Sequence, residues 1–111
     1  MLEATPETFD QLIQERDKLI VVYFWGTDCP NCDVFKAALP SMMPELSALP
    51  IRFISVDAYT HMDLARRFGL AGVPAFLLFR NGDRLGMMRE FRGKAFFTSV
   101  LRENCPVVPP T

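Results

Sequence analysis

The sequence predicts an α/β domain with a central four- to five-stranded mixed sheet and helices on both faces. Three observations carry that prediction. Leu19-Ile-Val-Val-Tyr-Phe-Trp25 is an unbroken β-branched and aromatic run, as suits a strand covered on both sides. Segments with helix-spaced apolar residues alternate with strand-like runs up to residue 74, the pattern of parallel crossovers. Asn81-Gly82 then separates two further strand-like runs, and this dipeptide is the strongest short hairpin signal.

From Pro6 to Arg16 the residues Phe9, Leu12 and Ile13 recur at helical spacing, with Thr5 as N-cap and Pro6 in first position. The Leu19–Trp25 strand follows. A second helix starts at the Cys29/Cys32 pair with Pro30 in its first turn and an apolar face of Val34, Phe35, Ala38 and Leu39. Pro40 and Pro44 each remove a helix donor, so the reading is a broken helix that resumes over Leu46–Leu49. Ile51–Val56 alternates as a strand. Thr60 and Asp63 form a capping-box pattern for a helix through Phe68, stopped by Gly69. Ala75–Phe79 and a strand reaching Phe91 make the hairpin, with a bulge at Gly86. A last helix presents Ala95, Phe96, Phe97, Val100 and Leu101. Residues 1–105 thus form one domain, and Pro106–Thr111 a loose Pro-rich tail.

Composition narrows the function classes. Half of the 111 residues are hydrophobic and 23% are charged, so a core forms. The net charge is −1 with scattered basic residues, which supplies no field for nucleic acid or an anionic membrane surface. The longest apolar run, Leu19–Trp25, falls well short of the roughly 20 residues of a membrane span. Residues 1–7, Met-Leu-Glu-Ala-Thr-Pro-Glu, lack the basic start and apolar segment of a secretory signal. The expectation is a cytoplasmic monomer.

Three cysteines are too few for a disulfide scaffold, but Cys29 and Cys32 stand three apart between a buried strand and a helix. That junction puts the first sulfur beside unpaired backbone amides and the positive end of the helix, which favours thiolate. Cys29 is therefore the candidate nucleophile, exposed at the helix start. Cys32, one turn on and shielded, is the candidate resolving thiol, able to attack a mixed disulfide on Cys29. The competing reading is half of a zinc site. Zinc wants four ligands, and only Cys105 and His61 remain.

Here the sequence resembles the thioredoxin family. Phe24-Trp25-Gly26-Thr27-Asp28-Cys29-Pro30-Asn31-Cys32 is similar to that family's active-site segment, and Gly72-Val73-Pro74 followed by Ala75-Phe-Leu-Leu-Phe-Arg-Asn-Gly-Asp83 to its cis-proline loop and hairpin. The resemblance covers about residues 6–104. It implies the thioredoxin fold, attack by Cys29, resolution by Cys32, Trp25 packed beside the pair, Pro74 as the cis-proline and Val73 offering backbone groups to an extended substrate. It also implies a protein thiol-disulfide oxidoreductase with no prosthetic group, disulfide-bearing client proteins, and a reductase or other dithiol protein as electron donor. There are departures. Tyr23 stands where the family carries a buried aspartate, Phe53 stands in place of its lysine partner, and Pro30-Asn31 replaces Gly-Pro, with Asp28 and Asp33 flanking the cysteines. Loss of the aspartate also suits a different class, a binding module that holds partners and exchanges disulfides slowly.

The remaining chemistry-bearing residues receive bland readings. His61 is read as solvated, Cys105 as an incidental, partly buried thiol, and Met42, Met43, Met87 and Met88 as filling irregular core or surface.

Overall fold

Strands and helices alternate up to Arg80, and a second strand of a hairpin and a last helix follow, within residues 1–107, the part of the chain that the computed structural model describes. Their order is β1 (Leu2–Glu3), α1 (Phe9–Leu12), β2 (Leu19–Trp25), α2 (Pro30–Leu46), β3 (Ile51–Asp57), α3 (Met62–Arg67), β4 (Ala75–Arg80), β5 (Asp83–Met88) and α4 (Lys94–Asn104). The five strands form one sheet in the order β1-β3-β2-β4-β5. β1, β3 and β2 run parallel, whereas β4 pairs antiparallel with β2, and β5 with β4.

The reason for the uninterrupted apolar run in β2 lies in its central place. Side chains alternate across a strand, so Ile20, Val22 and Phe24 enter a core completed by Phe9 and Ile13 near α1 and Leu64 of α3. Leu19, Val21 and Tyr23 enter the opposite core, closed by Phe35 and Leu46 of α2 and Phe97 and Leu101 of α4. Each such aliphatic or phenyl side chain, taken fully out of water, contributes about 1.5–3 kcal/mol. Phe35 is the hub of the second core: the rings of Tyr23, Phe76, Phe91 and Phe97 lie 4.7, 4.9, 5.4 and 5.2 Å from it, centroid to centroid.

The hairpin forms at Asn81-Gly82, both with positive φ (53° and 83°), the geometry that makes this pair favoured there. A register shift follows. Leu78 faces Gly86 while Phe79 faces Arg84, leaving Leu85 as the extra residue of a bulge beside Gly86.

Several local expectations are corrected. α2 is one helix from Pro30 to Leu46, not a broken one, with Pro40 and Pro44 inside it. Both prolines are exposed, and their four-residue spacing puts them on one face. The carbonyls they leave without intrahelical donors therefore belong to the side that water can reach. The expected extension to Leu49 is a turn instead. The first helix is confined to Phe9–Leu12, and the Thr5 hydroxyl meets the Thr8 hydroxyl rather than capping an amide. The Thr60/Asp63 capping box does not form, because Asp57 takes the Thr60 amide and hydroxyl and His61 becomes the N-cap. β5 stops at Met88, short of Phe91. Val34, Ala95 and Phe96 are exposed, each lying off the buried stripe of its helix. β1 has only two residues and was not anticipated from the pattern; it pairs with Ile54 and Ser55 of β3. No helix among the described residues is long and apolar enough to cross a membrane. The loose-tail reading for residues 108–111 lies outside the described residues.

Candidate functional site

β2 delivers the chain to the site. Beyond Trp25, Gly26 is buried against Tyr59, whose ring occupies the space a Cβ would need. Asp28 takes a left-handed conformation (φ 52°), which a short polar side chain tolerates better than most. Cys29 is then extended (φ −120°, ψ 95°) and caps α2, its Sγ accepting the Cys32 N–H at 3.2 Å. Pro30 fills the first helical position, where an N–H is not required. The Cys29 carbonyl accepts the Asp33 N–H at 3.1 Å.

These constraints place the Cα atoms of Cys29 and Cys32 5.2 Å apart, and the two sulfurs form a disulfide. The separation is ordinary for a bridged pair, so the helical turn itself sets the bonding distance. Cys32 is 1% exposed and Cys29 only 7%. The expectation of an openly exposed Cys29 is thereby corrected, although it is still the more accessible sulfur. Its shielding comes from the aromatic core it joins, which includes Tyr23, Phe35 and Phe91.

Trp25 is half-buried against the same core, with the Lys36 ammonium 4.6 Å above its ring. Phe24 faces Ala75 across the antiparallel pairing, which brings the next residues in each direction, Trp25 and Pro74, to one end of the sheet. Pro74 is buried, and the Val73–Pro74 peptide is cis. Val73 packs against both cores and lines a cleft of about 320 Å³ with Ala58, Tyr59, Met62, Leu70 and Gly72.

Of the other singled-out residues, Met42 belongs to the cluster that holds the sulfurs and Met88 and Cys105 pack against it, whereas His61 is the N-cap residue of α3, with no capping bond from its side chain. Cys105 is an unbridged thiol at the end of α4, and burial pushes its pKa up. No group of three or more potential metal ligands occurs among the described residues.

Tyr23 lies at the heart of this core, 2% exposed, with its ring stacked on Phe76. Its hydroxyl is buried without a hydrogen-bond partner among the described residues. Burial, aided by the Asp33 carboxylate, pushes the phenol up to about 12, so it holds its proton near neutrality. It cannot act there as the base that a carboxylate would provide.

Two contacts were missed in the sequence. Lys36 follows Cys32 by four residues, so the helical repeat alone places it on the same face. Asn31 exchanges two hydrogen bonds with the Phe91 backbone, sixty residues away, and no local pattern signals that.

The family model described as Thioredoxin matches residues 1–103. Thioredoxin of Mycobacterium tuberculosis is 28% identical over 108 residues, which span 97% of this chain and 90% of that protein. Human protein disulfide-isomerase A4 is 35% identical over 83 residues, 73% of this chain but only 13% of that much longer protein. Among solved structures, Chlamydomonas reinhardtii thioredoxin f2 superposes with a TM-score of 0.80 at 21% identity, covering 96% of this chain and 99% of the other.

Proposed function

The chain belongs to the thioredoxin family, and from that premise we propose that it exchanges electrons between disulfide-bearing client proteins and a reductase or other dithiol protein. Its activity is protein thiol-disulfide oxidoreduction through the Cys29/Cys32 couple. The observation that carries this is the bridge across the first turn of α2, with Cys29 as the cap of that helix.

In the reduced protein the helix start favours the Cys29 thiolate. The thiolate attacks a client disulfide; that bond breaks, and the departing client sulfur takes a proton from solvent. A mixed disulfide on Cys29 results. Cys32 then gives up its proton and attacks Cys29 Sγ, the Cys29–Cys32 bond forms, and the client leaves with both thiols. Two electrons have passed to the client, and an external dithiol restores the pair by the reverse exchange. In this reading Trp25, Val73 and Pro74 line the approach, with the Val73 backbone pairing to an extended client segment. In this reading the protein works as a monomer in the cytoplasm, where thiols are kept reduced.

Insulin reduction in the presence of a chemical reductant tests the activity. Precipitation well ahead of the reductant-only control is expected. Precipitation at the control rate would favour the binding-module reading, which the solitary Tyr23 hydroxyl at the family's carboxylate position otherwise supports. Cys32→Ser should accumulate mixed disulfides with client proteins and Cys29→Ser none, both visible as reductant-sensitive bands. Equal trapping by the two variants would count against the division of roles.

A further inference from the structure

One side chain takes both polar groups of the Phe91 main chain. Asn31 Nδ2–H donates to the Phe91 carbonyl at 3.3 Å, and the Phe91 N–H donates to Asn31 Oδ1 at 2.9 Å. A carboxamide offers a donor and an acceptor side by side, the same pair that a neighbouring strand would offer. Asn31 therefore acts as a one-residue strand partner for the segment that follows β5. That segment is held twice. Phe91 is 7% exposed and its ring packs 5.4 Å from Phe35 and 5.7 Å from Phe97, while its backbone is tied to Asn31, one of the two residues between the cysteines.

The consequence falls on Cys29, which shares its buried cluster with Phe91 and is 7% exposed. A thiolate that breaks the Cys29–Cys32 bond must reach Cys29 Sγ from the side opposite Cys32, so access is one determinant of its rate. We propose that Asn31 is a positioning residue that holds residues 89–93 as a wall beside Cys29 and so selects attacking thiols by bulk. This rests on the reading of Cys29/Cys32 as the redox centre. A restriction on approach slows attack and its reversal by the same factor. The clamp therefore shows itself in rates and in selectivity between thiols.

The test uses the full chain with Asn31→Ala, a residue that favours helix. Two measurements are made: amide exchange at Phe91, and rates of disulfide reduction by β-mercaptoethanol and by bulkier glutathione. Losing the clamp should raise Phe91 exchange by roughly tenfold. The β-mercaptoethanol to glutathione rate ratio should fall by about threefold or more, because the bulkier thiol gains most from the opening. Phe91→Leu keeps both backbone bonds and should retain slow exchange at residue 91. Asn31→Ser, too short to reach Phe91, repeats the test if Asn31→Ala does not fold. An unchanged rate ratio alongside a freed Phe91 amide would overturn the proposal, as would an amide no better protected in the parent. Chemical reduction reads the bridge itself. A parent protein inactive on insulin, with the ratio still altered in Asn31→Ala, would refute the oxidoreductase reading and leave the clamp standing.

Discussion

On one face of the sheet Phe9, Ile13, Ile20, Val22, Phe24 and Leu64 pack as an apolar cluster, with no side-chain polar atom buried unpaired among the described residues. On the other face the same strands supply Leu19, Val21 and Tyr23 to a cluster that also holds a disulfide and a solitary phenol. The first face has only folding to serve. The second retains a group that folding alone would disfavour, since a buried hydroxyl without a partner costs about 1–3 kcal/mol. The difference teaches that redox chemistry here is housed in the core rather than added on its surface, so stability and reactivity should respond together on one face and separately on the other.

The largest test of that comparison sets Phe35→Ala against Phe9→Ala. Each deletes a fully buried ring, and each should cost about 3–5 kcal/mol in denaturant unfolding. Only Phe35→Ala should also speed alkylation of Cys29 after reduction, because its ring belongs to the cluster that shields the sulfurs. Equal alkylation rates in the two variants would break the distinction.

Tyr23 sharpens it at the next level. Tyr23→Phe removes the unpartnered hydroxyl and keeps the ring, so it should stabilise the protein by roughly 1 kcal/mol near pH 7. The folded phenol titrates at about 12 against an ordinary 10.0. The unfolded chain therefore loses that proton first, and the parent loses stability as pH rises from 10 to 12. Tyr23→Phe should lack that increment of alkaline loss, so the gap between the two unfolding curves widens across the same window. Parallel curves would show that the phenol titrates normally. Tyr23→Asp restores a carboxylate and should resolve mixed disulfides faster near pH 7, with the gain fading at higher pH as solvent deprotonates Cys32. A folded variant that resolves no faster at any pH would remove base supply as the limit on turnover.

The smallest effect is expected at the periphery of the redox face. Glu45 of α2 pairs with Arg102 of α4, both well exposed. Glu45→Gln should lower stability by no more than about 1 kcal/mol and leave insulin reduction unchanged.

What could be read from the sequence follows the range of the forces involved. β2 was legible because burial on both faces writes itself into seven consecutive residues, and the hairpin because Asn81-Gly82 requires positive φ at adjacent positions. The cysteine pair declared itself by its spacing at a strand-to-helix junction. The prolines of α2 misled because their cost depends on whether the freed carbonyls meet water, which is a tertiary fact. Thr60 misled for a similar reason, since Asp57 competes for the same hydroxyl. β1 has too few residues to show a period. The shielding of Cys29 and the Asn31–Phe91 clamp depend on chain segments brought together from far apart, where no local pattern reaches.

The two prolines of α2 also decide what holds each half of that helix. Pro40 and Pro44 have no N–H to offer Lys36 and Pro40, so two rungs are missing from the ladder, the second about 18 Å along the axis from Cys32 at Pro44. The half that carries them leans instead on tertiary contact, through Met42 and Leu46 in the core. The first turn, which sets the spacing of Cys29 and Cys32, lies clear of both gaps, with the Cys29 carbonyl bonded to the Asp33 N–H.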